Sequence, residues 1–173
     1  MLSDTADANC NPTITRKRRI ARVLSLILTV CGCSSCLSVA MPRECREFFR
    51  LSSSERELKF RQYSLDKQVD LYLCGMNREP PESGYAAYIA EGGEQVIPYL
   101  LQRLKSEPLE ITKTRILDIF TVLAVKGNLR GRQDVIDELD RVVVNIQFAP
   151  IKSKAERYME IIKNENSRAV RRS

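Results

Sequence analysis

The chain has 173 residues, 43% of them hydrophobic and 29% charged, with no His and no Trp. That apolar fraction is ordinary for a globular protein and excludes disorder throughout, while the absence of His removes the commonest neutral-pH acid/base and the commonest zinc ligand. The formal charge of +6 is not a nucleic-acid footprint: residues 1–32 hold Arg16, Lys17, Arg18, Arg19 and Arg22 against Asp4 and Asp7, the rest balances to within three charges, and no face is marked by clustered Lys and Arg.

The N-terminus orders three compositions. Arg16-Lys-Arg-Arg-Ile-Ala-Arg22 is basic, Val23-Leu-Ser-Leu-Ile-Leu-Thr-Val30 is an uncharged apolar run, and Cys31-Gly-Cys33-Ser-Ser-Cys36 is small. This is the layout of a secretory signal peptide. Positive charge stays on the cytoplasmic side while the apolar run enters the bilayer.

Within it, Val30-Cys31-Gly32-Cys33 resembles the lipobox of bacterial lipoproteins: a branched apolar residue three before the cysteine, a small residue one before it. The resemblance implies cleavage after residue 32, a diacylglycerol thioether on Cys33 and acylation of its new amine. Cys31 departs from the pattern, where Ala, Ser or Thr is usual. Cys31 and Cys36 are alternative lipidation frames. The resemblance also implies that residues 33–41 are a lipidated tether at the periplasmic face. Ser34 after the cysteine favours the outer membrane, by likeness to enterobacterial lipoproteins. The competing reading is an uncleaved inner-membrane anchor, since Val23 to Met41 runs nineteen residues without a charge, close to the roughly 20 that span a bilayer.

Residues 42–167 read as an all-α domain. Pro42 to Leu51 is the first helix, with Pro in its first turn, where a missing N–H costs nothing. Ser52-Ser-Ser54 offers an N-cap to Glu55–Phe60. Ser64 is the expected cap of Leu65–Met76, whose Leu65, Val69, Tyr72, Leu73 and Met76 follow helical spacing. After Pro80-Pro81, Ser83 is the expected cap of Tyr85–Glu91, stopped by Gly92-Gly93. Glu94–Leu104, Glu110–Lys126, Arg132–Gln147 and Lys152–Asn164 follow, each with an apolar stripe. Pro108, Gly127 and Pro150 are the stops, and Arg168 to Ser173 is a basic tail. The β-branched run from Arg141 to Phe148 suits a strand by propensity, but the stripe that begins at Val135 continues through it.

A shift of 39 residues places Val96, Ile97, Leu100 and Leu104 on Val135, Ile136, Leu139 and Val143, with Arg103 on Val142 as the one mismatch. The same shift places Ile116, Ile119, Phe120, Val122 and Leu123 on Ala155, Tyr158, Met159, Ile161 and Ile162. Residues 94–164 thus resemble two HEAT-type helical hairpins, units that must stack to bury their apolar faces. The alternative is a small irregular helical bundle.

Beyond lipidation, the candidate site residues are few. Cys45 and Cys74 sit on separate predicted helices and are candidate disulfide partners in an oxidising compartment. Cys74 also reads as a small buried apolar residue, and spacing alone does not fix pairing. Carboxylates such as Glu79, Glu82, Glu91 and Glu94 are the acid/base candidates, and they read as solvated loop carboxylates. No motif points to an enzyme, a cofactor or a metal. The functional expectation is an envelope protein held to the membrane by its N-terminal lipid, with no nucleic-acid partner. It serves as a protein-binding or scaffold module; an inhibitor or immunity-type partner protein is the alternative. The polar segment Arg78 to Tyr85 is either a partner contact or an ordinary connection.

Overall fold

The computed structural model describes residues 41–171, and no strand occurs among them. The helices are α1 (Arg43–Phe48), α2 (Ser53–Gln62), α3 (Leu65–Gly75), α4 (Tyr85–Ile89), a 3-10 segment (Ala90–Val96), α5 (Ile97–Ser106), α6 (Glu110–Val125), α7 (Gln133–Val144) and α8 (Ala149–Arg171). The protein is all-α over this range. None of these helices is long and apolar enough to cross a membrane.

Local chemistry sets the boundaries. Ser52 is a full capping box: its hydroxyl accepts from the Glu55 N–H, and the Glu55 carboxylate accepts from the Ser52 N–H at 2.9 Å. Ser64 holds the N-cap position of α3 without a side-chain bond, and α4 is entered through Gly84, not capped by Ser83. The stretch from Ala90 forms a 3-10 segment kinked at Gly93, whose φ of 59° only Gly adopts freely. The helix expected from Glu94 therefore starts at Ile97, with Pro98 in its first turn.

Pro150 was expected to end a helix. Instead α7 stops at Val144, and Pro150 sits in the first turn of α8. There its missing N–H has no helical partner to lose. Helix α8 then continues to Arg171, so Arg168 and Arg171 belong to its last turns instead of forming a separate tail.

One apolar core runs through the domain. On α6, Ile116, Leu117, Ile119, Phe120 and Leu123 are fully buried. Each such side chain contributes on the order of 1.5–3 kcal/mol. Thr114 is buried among them with its hydroxyl on the Glu110 carbonyl one turn back, so it carries no unmet polar group.

Helix α6 packs along α8, α7 packs on α8, and α5 meets both α6 and α7. Two polar ties set the direction of the α6–α8 pair. At one end the Glu110 carboxylate, in the first turn of α6, accepts from the N–H groups of Gln147 and Phe148, which lead into α8. At the other end Asn166, 9% exposed, accepts from the N–H of Gly131 in the loop that follows α6. The two helices therefore run parallel. Leu129 anchors that loop in the core. In the other row, Asp66 accepts from the Tyr99 hydroxyl and Asp70 pairs with Arg103, joining α3 to α5. Lys105 pairs with Glu138, joining α5 to α7.

Candidate functional site

The sequence-selected residues disperse. Cys33, with its alternatives Cys31 and Cys36, lies outside the described residues, as do the basic and apolar runs before it. Glu82 is engaged by Arg56 at 2.5 Å and Arg78 at 3.0 Å, and Glu91 by Arg61. Glu79 and Glu94 are exposed. The four carboxylates thus do not converge on one enclosed space, which an acid/base pair requires. Among the described residues no group of three or more His, Cys, Asp or Glu is placed to hold a metal ion.

Cys45 on α1 is bonded to Cys74 on α3, with Cα atoms 6.5 Å apart, inside the span such bonds occupy. The bond lies beside a close approach. A Cβ on Gly75 would stand 2.9 Å from Phe49 Cζ and 3.3 Å from Glu82 Cβ, so only Gly lets the Phe49 ring lie against α3. The guanidinium groups of Arg78 and Arg56 stand 4.6 and 5.7 Å from that ring, and both bind Glu82. The polar connection after α3 is thus committed to holding Phe49.

A cleft of about 270 Å³ opens between α1, α2 and α3. Phe48 and Leu71 form its floor, while Glu44, Glu47, Lys59 and Lys67 stand at its rim. Lys67 is already paired with Glu44, and Glu47 with Arg43. The rim mixes both signs, and Lys59 alone of its charged side chains makes no ion pair among the described residues.

A more distinctive arrangement lies where α3, α6 and α8 meet. Tyr72, fully buried on α3, donates to Asp118 at 2.8 Å and lies 3.1 Å from the Arg115 carbonyl. Burial beside the Asp118 carboxylate pushes its phenol well above the ordinary tyrosine range. Tyr158 on α8 faces the same carboxylate, and burial first, then Asp118, raise its phenol to about 12. Asp118 thus accepts from one neutral hydroxyl, that of Tyr72, and faces a second, that of Tyr158. Beside it Arg115 donates to the Asn77 side chain at 2.6 Å. Burial pulls its guanidinium below the usual arginine value.

This cluster sits within an outward stripe. Ile111, Arg115, Asp118, Val122 and Val125 recur at helical spacing on α6, and Lys154, Tyr158, Ile161, Glu165 and Arg168 repeat that spacing on α8. Ile111, Val125 and Ile161 are 39%, 63% and 40% exposed. Sequence reasoning took α6 and α8 only for their core stripes. The 111/115/118/122/125 spacing was readable, but not that Asp118 belongs to tyrosines 46 and 40 residues away along the chain. A second exposed apolar group, Leu109, Val144 and Phe148, gathers around the Glu110 tie. Compared with protein-family models, curated proteins and solved structures, the chain matches none.

Proposed function

We propose that this chain is a protein-binding module of a bacterial cell envelope, lipid-anchored through Cys33, in which residues 94–164 form two stacked HEAT-like hairpins. The observation that carries the module is the pairing of like with like. Helix α5 meets α7 and α6 runs parallel to α8, as in stacked units of one repeat. Burial follows the 39-residue shift: Val96, Ile97, Leu100 and Leu104 are buried, and so are Val135, Ile136, Leu139 and Val143. Ile116, Phe120 and Leu123 are buried together with Ala155, Met159 and Ile162. Two aligned pairs, the mismatched Arg103 and Val142 and the apolar Val122 and Ile161, are left partly exposed in both units, and Ile119 is fully buried where Tyr158 is half-buried. Two further features support a binding role: the outward stripe of α6 and α8 and the Leu109–Phe148 group, both larger than scattered single exposures.

The basic, apolar and cysteine-bearing order of residues 16–36 supports the anchor. Two measurements test the reading. The intact mass of protein extracted from its native membrane should begin at Cys33 with diacylglycerol and acyl additions. An unprocessed mass would replace the lipid with a spanning segment. The detergent-extracted protein should also co-purify with a stoichiometric protein partner. Recovery of the chain alone, repeatedly and in mild detergent, would overturn the module.

A further inference from the structure

Arg115 is a cation that no carboxylate contacts directly among the described residues. It is half-buried, its side-chain partner is the neutral Asn77 amide, and it belongs to no ion pair among the described residues. The carboxylate closest to it along α6, Asp118, accepts from the neutral Tyr72 hydroxyl. Two more cations border the same strip. Lys154 stands over the Tyr158 ring at 5.7 Å, and Lys126 donates to the Ala87 carbonyl. Neither is paired with a carboxylate. The other acid of the strip, Glu165, is neutralised by Arg168 at 2.6 Å. Arg115, Lys154 and Lys126 therefore stand against the one carboxylate of Asp118, a net positive charge in a strip that also exposes Ile111, Val125 and Ile161.

We propose that this strip docks an amphipathic helix of a partner protein, whose apolar side lies on Ile111, Val122, Val125 and Ile161 and whose carboxylate meets Arg115. The inference rests on the module reading above and names its surface and the chemistry of its occupant. Two parallel helices leave between their outward stripes a furrow that another helix fills with residues at the same spacing. From residue 111 to 125 the strip is about 21 Å long, which accommodates about 14 residues of partner helix. A planar guanidinium that has already lost part of its hydration gains a two-pronged bond from a carboxylate at less further desolvation than an exposed lysine. Tyr and Arg are also the side chains most often found carrying binding energy at interface centres.

The test is photo-cross-linking in the native membrane, with benzoylphenylalanine placed in the full chain at Val125 or Ile161 and, as a control, at the exposed Leu58 on α2. Cross-links from positions 125 and 161 should map to one segment of another protein that carries apolar residues at helical spacing flanked by Asp or Glu. Arg115→Glu should lower their yield about tenfold or more, as loss of one charged contact dictates. Arg115→Lys should retain part of it. Lys154→Glu, on a different helix, gives an independent reading should Arg115→Glu disturb the fold. Cross-links to lipid, to a second copy of this chain, or to a basic segment overturn the proposal. So does a yield from Leu58 equal to that from the strip. If the wild type keeps a stoichiometric partner while the strip stays silent, this surface is wrong and the module stands. If the wild type has no partner, the module itself fails and the strip with it.

Discussion

Reducing the Cys45–Cys74 bond should destabilise the domain by an amount calculable from chain length alone. The bond joins residues 29 apart. A cross-link closing a loop of that size removes about 3.5 kcal/mol of conformational freedom from the unfolded chain in the loop-entropy picture. The released thiols add little to the folded state, because Cys45 is 3% exposed and a thiol behaves as a small apolar group. For a domain of this size about 3.5 kcal/mol corresponds to a fall in Tm of about 12 °C. The assay is urea unfolding followed by circular dichroism, with and without a dithiol reductant and with free thiols counted by mass spectrometry. The reduced form should unfold at lower urea and show a larger denaturant slope, since its unfolded state is more expanded. A Cys45→Ala/Cys74→Ala double variant should match the reduced protein and ignore the reductant. A demonstrably oxidised protein whose midpoint moves by less than about 1 kcal/mol on reduction would refute the loop-entropy reasoning.

Other expectations bear on single side chains. Two backbone N–H donors, Gln147 first and Phe148 second, hold the Glu110 carboxyl below its ordinary value of 4.5. A group whose folded pKa is depressed contributes stability above the unfolded pKa and loses it as pH falls through the folded one. Glu110→Gln should therefore be less stable than wild type at neutral pH, and thermal melts below pH 4.5 should show the gap closing. Asn166→Ala removes the side chain that accepts from the N–H of the exposed Gly131 and should cost about 0.5–1.5 kcal/mol in urea unfolding. Two glycine substitutions separate two physical causes. Gly131→Ala meets open space but must hold φ at 71°, so its cost should be about 1 kcal/mol and purely conformational. Gly75→Ala drives a methyl into Phe49 and should cost about 1–3 kcal/mol, with hydrogen exchange accelerated around α1. Phe120→Ala, deep in α6, should cost about 3–5 kcal/mol.

Where a signal is local, the sequence was a good guide. Ser52 followed three residues later by Glu55 is a complete capping box because both partners lie in one turn. The core stripe of α6 was legible for the same reason. Ser64 and Ser83 carry the right residue type, but whether a hydroxyl turns toward the N–H groups depends on neighbours that spacing does not reveal. Pro150 shows how one physical rule serves opposite boundaries: a residue without an N–H suits the entrance of a helix as well as the space beyond its end. Arg168 and Arg171 looked like a solvated tail, yet α8 continues through them, with Asn166 just before as a point of attachment. The strip was harder. Its character depends on which partner each charge takes, and Asp118 takes partners from α3 and α8. No window of sequence contains all three.

The Glu110 carboxylate reaches from the start of α6 to the start of α8, and the residue 39 places further on is Ala149. A methyl group cannot accept an N–H. Helix α8 therefore receives this tie and has nothing to hand on. A further unit grafted onto its outer side would arrive with two unclaimed backbone donors at its entrance, each of which is costly when buried. If residues 94–164 stack as the two units proposed above, growth in that direction needs a chemical change at one residue, Ala149→Glu being the simplest, before any new hairpin gains from stacking. On that proposal, a single missing carboxylate ends the stack.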